Sequence, residues 1–207
     1  MTLSRDFARA VLVVASCAGL WSCTAGPQPR PDAQPTVSGT VTRVIDGDTI
    51  EVQLGSGPIR VRLNSIDTPE KDQPWGPEAQ AALAGRVNGR RVDLDPVTQD
   101  RYDRLVVVVL LDGENINAWM VQQGDAWAYR DYLDDPGYCA WEATARASQR
   151  GLWSLPPGSR VAPWEWRAAG RGSTAAFTDY SNETEAGCIA GMHRKSALRG
   201  ETPSGYR

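Results

Sequence analysis

Two short acidic segments, each beside a run of β-forming residues, are the first feature of this sequence that could carry out chemistry. Asp46 and Asp48 lie two residues apart, and side chains at that spacing on an extended chain point to the same side. Asp67 and Glu70 form a second acidic pair further along. Carboxylate oxygens are the ligands that Ca²⁺ and Mg²⁺ prefer. Each segment alone is also an ordinary turn or strand exit, so the two indicate a metal site only if the fold brings them together.

An arginine precedes the second acidic pair in the same predicted strand. Arg62 and Asp67 are an odd number of residues apart, so strict strand alternation would place them on opposite faces. Both can serve one site only if the strand ends or bends near Ser65. Pro69 supports such an end, because proline cannot donate to a strand ladder and restricts the residue before it. We therefore predict that the acidic residue after Pro69 is held by a stiff segment.

The scarcity of histidine and the overall charge exclude several classes of chemistry. His193 is the only histidine and lies far in sequence from the other polar clusters. Reactions that use histidine as base, nucleophile or main metal ligand are therefore disfavoured. A formal net charge of −3 provides no overall basic field, so local arginines would have to hold any nucleic acid. Carboxylates, arginines, tyrosines and an oxygen-bound metal remain available.

The elements that must position these residues are short strands followed by helices. The predicted strands are SGTVTRVI, TIEVQL, IRVRLNSI, RVDLD and RLVVVVLL. The predicted helices are GPEAQAALAGRVNG, INAWMVQQG and DDPGYCAWEATARASQRG. Five strands with one helix between the third and the fourth form the element order of an OB-type barrel. We predict an α+β fold built on a five-stranded OB-type β-barrel with about three helices.

The amino-terminal segment predicts export. Basic residues precede an apolar run that ends near Cys23, which is the layout of a signal peptide over residues 1–23. Residues 20–23 resemble a lipoprotein lipobox, although VASC, ending at Cys17, matches the box better and leaves a shorter apolar run. A buried helix is the alternative, but the Pro-rich linker predicted over 24–36 could not continue it.

From this layout we expect a protein that is secreted, periplasmic or anchored at the cell envelope. Contact with a membrane is then expected only through a lipid on Cys23, and we expect the protein to be a monomer.

Two regions leave alternatives open in the mature chain. Cys139 and Cys188 could form a disulfide in an oxidising compartment or remain free thiols. Residues 169–207 are rich in Gly, Ser and Thr with little periodicity, so a flexible tail and a small appendage both fit.

Six segments that occur in order resemble the staphylococcal nuclease family, also called thermonucleases. They are VIDGDTI, RLNSIDTPE, GPEAQ, DRYDRL, NAWMVQQGDAWAY and RGLW. The resemblance runs from about Thr36 to Arg167, and the closing PWEWR resembles the end of exported bacterial members. It implies a nuclease-like domain over 37–168 with an OB barrel, in agreement with the element order.

The resemblance also implies a calcium site. The Ca²⁺ ligands would be the carboxylates of Asp48 and Asp67 and the backbone carbonyl of Thr68. Asp46 would help to hold a coordinated water.

Roles for five further residues follow from the same resemblance. Glu70 matches the general base, and Arg62 and Arg104 match the two arginines that hold the scissile phosphate. Arginine suits this task because its planar fork makes bidentate bonds to phosphate and stays charged near neutral pH. Tyr129 and Tyr132 match tyrosines that stack on or hydrogen-bond to the nucleotide.

The implied activity is calcium-dependent hydrolysis of single-stranded or frayed DNA and RNA. An OB-type module that binds nucleic acid or a protein without cutting is the alternative, and a third possibility is a calcium site that only stabilises the fold.

One residue departs from the family pattern. Asp103 stands where the family usually has glycine, directly before Arg104, and we expect its charge to weaken activity without abolishing it.

Overall fold

The computed structural model describes residues 36–102, 104–133 and 135–199, with side chains as far as residue 192. The predicted signal peptide over 1–23, with Cys17 and Cys23, lies outside these residues, as does the predicted linker over 24–36 except for Thr36. Asp103 and the side chain of His193 also lie outside them. Expectations that rest on these residues stay predictions.

Five of the strands in the described part of the chain close into a barrel. The strands are β1 (Val37–Val44), β2 (Thr49–Leu54), β3 (Gly57–Leu63), β4 (Ile66–Asp67), β5 (Arg91–Gln99), β6 (Leu105–Leu111), β7 (Glu114–Asn115) and β8 (Trp127–Ala128). The sheet runs in the order β3-β2-β1-β5-β6, and a parallel pairing of β3 with β6 closes it. The predicted five-stranded OB-type barrel in an α+β fold is therefore confirmed.

The fourth barrel strand is longer than its sequence pattern predicts. The predicted run RVDLD ends before Pro96, whereas β5 continues through Pro96 to Gln99. Its pairing with β6 shifts register between Pro96 and Thr98. Pro96 still pairs with Val107, and Val97 after it is left out of the register, so the strand accommodates the proline beside a bulge-like irregularity.

Helices cover the barrel and extend the chain beyond it. They are α1 (Gly76–Val87), α2 (Ile116–Gln123), α3 (Gly137–Ala147), α4 (Pro163–Gly170) and α5 (Glu185–Arg199). The first three are the predicted ones, and α4 and α5 follow them. The side chain of Asn115 caps α2 by accepting a hydrogen bond from the backbone N–H of Ala118 at 3.0 Å. No helix in the described residues is both long enough and apolar enough to span a membrane.

The core fixes which side of β3 carries the polar residues. Val61 and Leu63 are fully buried in the barrel together with apolar side chains from β1, β2, β5 and β6. Arg60 and Arg62 alternate with them and therefore face outwards. After Leu63 the chain turns, and Ser65 adopts a left-handed conformation with φ of 65°. The predicted strand end near Ser65 is confirmed.

The described part of the segment after residue 169, which runs to residue 199, forms an appendage on α3. Cys139 on α3 and Cys188 on α5 form a disulfide with their Cα atoms 5.7 Å apart. Glu183, just before α5, pairs with Arg130, which also binds the buried Glu142 of α3 at 2.6 Å. The structure thus has the disulfide rather than free thiols, and the described part of this segment is an appendage.

Candidate active site

The Asp-Gly-Asp turn between β1 and β2 packs against the exit of β3. The side chain of Asp46 accepts a hydrogen bond from the backbone N–H of Asp48 at 3.1 Å, which folds the turn on itself. A Cβ on Gly47 would lie 2.7 Å from Oγ1 of Thr68, so this close approach requires glycine. The backbone N–H and the hydroxyl of Thr68 both donate to Oδ2 of Asp48, at 3.1 and 3.2 Å. The first acidic segment is therefore fixed directly to the second.

Arg62 joins the two acidic segments through one guanidinium group. Its Nη1 donates to Oδ1 of Asp48 at 2.5 Å, and its Nη2 donates to Oδ1 of Asp67 at 2.8 Å. The side chains of Asp48 and Asp67 are only 4% and 0% exposed, whereas that of Arg62 is 19% exposed. The convergence that the sequence analysis requires is therefore present, with a cation at its centre.

Glu70 lies on a stiff loop at the rim of this cluster. Its backbone N–H donates to Oε1 of Gln73 at 3.1 Å, and Nε2 of Gln73 donates to the carbonyl of Val161 at 2.5 Å. A Cβ on Gly76 would overlap the carbonyl oxygen of Glu70, so α1 can begin against this loop only with glycine there. The loop is fixed as predicted, while the side chain of Glu70 remains 39% exposed to solvent.

Asp125 lies under the same loop, and its burial makes the stability of the folded protein depend on pH. Trp75 donates its indole N–H to Oδ1 of Asp125 at 2.8 Å, and burial raises the pKa of Asp125 to about 6. A carboxyl group whose pKa is higher in the folded than in the unfolded protein lowers stability as pH rises, here between about 4 and 6.

Asp125→Asn keeps the acceptor for Trp75 and removes the charge. We expect this variant to be about 2 kcal/mol more stable than the wild type at pH 7.5, with the difference vanishing near pH 4. Urea unfolding at the two pH values measures this. A variant less stable than the wild type at pH 7.5 would show that the charged carboxylate is stabilising.

Arg167 is a second cation in the cluster that the sequence analysis did not identify as a functional residue. From the last turn of α4 it donates to both oxygens of Asp67, at 3.1 and 2.7 Å, and to Oε1 of Glu70 at 2.8 Å. It therefore bridges a predicted metal ligand and the predicted base. The resemblance of PWEWR to the end of exported family members was the only sequence signal, and it assigned this arginine no role.

The four acidic residues form what we call the acidic cluster: Asp46, Asp48, Asp67 and Glu70. Burial and the charge of Asp48 raise the pKa of Asp46 to about 6. Burial also raises the pKa of Asp67, although the hydrogen bond from Arg167 and the charge of Arg62 oppose this. Two guanidinium groups accompany four carboxylates, so the cluster keeps an excess of negative charge.

The residues of the cluster fit calcium by type. Aspartate carboxylates and a backbone carbonyl are hard oxygen donors, and Asp48 and Asp67 already share one cationic partner. The structure, however, arranges these oxygens around guanidinium groups. In the part of the chain that is described, no group of three or more His, Cys, Asp or Glu side chains is spaced to hold a metal ion. A calcium ion bound through these oxygens would compete with the arginine contacts.

Arg104 lies apart from the acidic cluster. Its Nε and Nη2 bind Oδ2 of Asp100 at 2.8 and 2.7 Å, and its guanidinium lies 5.5 Å from the ring centre of Tyr102. Arg104, Tyr102 and Arg60 line an open cavity of about 590 Å³. Arg60 is two residues before Arg62 on the same face of β3, so the cavity begins about 7 Å along the strand from Arg62. Among the described residues, Arg104 makes no hydrogen bond to the acidic cluster.

The two predicted nucleotide-binding tyrosines follow β8, which pairs with β4. The backbone N–H of Tyr129 donates to the carbonyl of Ser65 at 2.9 Å, so these tyrosines are tied to the strand end that carries Asp67. The rings of Tyr129 and Tyr132 lie 4.7 Å apart, and Tyr129 stacks on Trp164 of α4 at 5.5 Å. Burial and the charge of Asp67 raise the pKa of Tyr129 to about 12. Tyr132 is 53% exposed and can offer a ring face to a base.

Comparison with known proteins gives one consistent result. A family profile described as staphylococcal nuclease homologue matches residues 60–155. The chain is 43% identical over 171 residues to Protein ParB of Escherichia coli, across 77% of this chain and 87% of that protein. It is 40% identical over 147 residues to the micrococcal nuclease of Shigella flexneri, across 66% and 83% of the two chains. An uncharacterized endonuclease of Escherichia coli O157:H7 is 41% identical over 132 residues, across 63% and 85%.

Proposed function

Because this chain belongs to the staphylococcal nuclease family and is a thermonuclease-like endonuclease, we propose that it hydrolyses single-stranded or frayed DNA and RNA with calcium. The observation that carries this proposal is the Arg62 bridge between Asp48 and Asp67, with Glu70 beside it. It combines a hard-oxygen donor set, a positive charge and an accessible carboxylate at one point. Metal-assisted phosphodiester hydrolysis uses these three components together.

In the proposed reaction the carboxylates of Asp48 and Asp67 and the carbonyl of Thr68 would hold calcium, and Asp46 would help to hold a coordinated water. When bound there, calcium polarises a non-bridging oxygen of the phosphate. The shared contacts of the acidic cluster and the type of its donor atoms support these roles.

Glu70 takes the proton of the attacking water in this proposal. Its carboxylate is partly exposed, so a water can reach it while the remaining cluster stays buried. The water oxygen forms the new bond to phosphorus, and the bond to the leaving oxygen breaks. Arg62, which is already held in place by two carboxylates, donates to a phosphate oxygen that gains charge in the transition state.

Arg104, Tyr129 and Tyr132 bind the rest of the nucleotide in this proposal. Arg104 lies in the cavity next to Arg62 along β3, where it would meet a phosphate after leaving Asp100. Tyr129 and Tyr132 provide flat rings near the strand end that carries Asp67. Aromatic rings beside a phosphate site suit unpaired bases, because such bases expose faces for stacking.

The decisive experiment measures hydrolysis and binding in the same preparation. The full chain is incubated with plasmid and with single-stranded DNA in Ca²⁺, and then in EDTA. We expect cleavage that stops in EDTA, resumes when Ca²⁺ is restored, and is lost in Glu70→Ala although that variant still binds single-stranded DNA.

Two results would instead support one of the two alternative functions. Binding of DNA without cleavage by the wild type in Ca²⁺ would indicate a non-catalytic OB-type module. A rise in melting temperature with Ca²⁺ but no cleavage would indicate a calcium site that only stabilises the fold.

We also propose that the protein is exported. The support is the signal-like layout of residues 1–23 together with the Cys139–Cys188 disulfide, because disulfides persist in oxidising compartments. Cell fractionation, with a labelled lipid precursor to detect modification of Cys23, tests this. Recovery of the protein only from the cytoplasm would contradict it.

A further inference from the structure

Arg167 occupies the oxygens that the proposed calcium ion would need. It binds Oδ1 and Oδ2 of Asp67 and Oε1 of Glu70. Arg62 and Thr49 donate to Oδ1 of Asp48, and Thr68 donates twice to Oδ2. All four carboxylate oxygens of Asp48 and Asp67 thus accept hydrogen bonds from protein donors. Among the described residues, Oδ2 of Asp67 accepts only the bond from Arg167, so a metal ion that binds this carboxylate meets the guanidinium of Arg167 there.

Of the two arginines in the cluster, Arg167 is the one that can leave. Arg62 lies within β3, is bonded to both aspartates and has a side chain that is 19% exposed. Arg167 reaches in from the last turn of α4, and its side chain is 30% exposed. Trp164 anchors α4 by stacking on Tyr129 at 5.5 Å. The side chain of Arg167 can therefore swing into solvent while the helix stays in place.

We propose that Arg167 is a tethered counter-cation that competes with calcium for Asp67 and Glu70, and so sets the calcium concentration at which the site loads. The inference rests on the proposed function only in taking calcium as the ion. In the metal-free protein Arg167 neutralises the fully buried carboxylate of Asp67 and holds Glu70 beside it. Two cations that need the same oxygens exclude one another, so each weakens the binding of the other by the same factor.

Calcium titration by calorimetry, without nucleic acid, tests the competition directly. Arg167→Met keeps the apolar length of the side chain and removes the guanidinium. We expect it to bind Ca²⁺ about tenfold more tightly than the wild-type full chain, a coupling of ordinary size between two sites. We also expect Ca²⁺ to raise its melting temperature by more than that of the wild type, because ligand stabilisation grows as the dissociation constant falls.

Arg171→Met is the matched control. Arg171 is exposed and directly follows the end of α4. Its replacement by methionine removes the same unit of charge as Arg167→Met. Among the described residues it makes no hydrogen bond to the acidic cluster. We expect its calcium affinity to stay within about twofold of the wild type, since the charge of an exposed side chain is screened by salt. An equal gain in both variants would show a general charge effect and overturn the proposal.

Arg167→Lys keeps the inference testable if the methionine variant fails to fold. Lysine retains the charge but cannot bind both oxygens of Asp67 as a fork, so we expect calcium affinity between those of the wild type and Arg167→Met. Calcium affinity in folded Arg167 variants that equals or falls below that of the wild type would overturn the competition, as would variants that bind no calcium at all. If the wild type binds calcium but does not cut DNA, the proposed function fails and the titration still decides the role of Arg167.

Discussion

Arg62→Lys is expected to lower kcat for single-stranded DNA by about a hundred- to a thousandfold, the usual cost of losing one transition-state donor. The guanidinium of Arg62 bonds Asp48 through one nitrogen and Asp67 through another, at 2.5 and 2.8 Å. A lysine has a single ammonium group at the end of a flexible stem and cannot hold both carboxylates while presenting a donor to phosphate. The charge is kept, so the buried aspartates still have a cationic neighbour and the fold should survive.

Arg90→Lys is the control for this experiment. Arg90 is exposed, pairs with Asp112 at the surface at 3.1 Å and makes no hydrogen bond to the acidic cluster among the described residues. We expect its kcat to stay within about threefold of the wild type, since surface ion pairs contribute little. Steady-state kinetics on a defined oligonucleotide, with circular dichroism as a check on folding, gives both values. Equal losses in the two variants would remove Arg62 from its assigned role.

The barrel and the convergence of the acidic segments could be predicted because their signals are local. Turn residues separate strands of alternating pattern, and a meander returns the end of its third strand to its first turn. The bend at Ser65 followed from parity alone, because Arg62 and Asp67 cannot share a face of a straight strand. The structure has that bend, with φ of 65° at Ser65.

The role of Arg167 could not be predicted, because its contacts depend on how a later helix docks. Arg167 reaches Asp67 across a separation of 100 residues, and it does so only because Trp164 seats α4 against Tyr129. Periodicity describes which face of a helix is apolar but not where on the barrel that face lies. The pairing of Arg104 with Asp100 is likewise a choice among several nearby acids that spacing does not decide.

The appendage could not be predicted from the sequence for a different reason. Its Gly-, Ser- and Thr-rich composition is typical of a flexible segment, and two glycines interrupt the sequence of α5. Its stability comes from tertiary bonds: the Cys139–Cys188 disulfide and the pairing of Glu183 with Arg130. Such bonds join elements that are distant in sequence, so composition alone cannot reveal them.

Glu142→Gln is expected to destabilise the protein by about 3–5 kcal/mol, the usual cost of leaving a buried ion pair without one partner. Glu142 is fully buried and accepts hydrogen bonds from Arg130 at 2.9 and 2.6 Å and from Arg146 at 2.8 Å. It also accepts one from the backbone N–H of Ala128 at 3.1 Å. In the variant two buried guanidinium groups would share the single carboxylate of Glu183. The amide N–H groups of the new glutamine would also face the N–H groups of the two arginines.

The loss should be visible as a fall in melting temperature of about 10 °C for a domain of this size, and as weaker binding of DNA. The second effect follows because Ala128, held by Glu142, directly precedes Tyr129. Glu51→Gln is the control, since Glu51 pairs with Arg43 at the surface at 3.2 Å and should cost no more than about 0.5 kcal/mol. A melting temperature of Glu142→Gln within 2–3 °C of the control would show that the network around Glu142 does not hold the appendage to the segment that carries Tyr129.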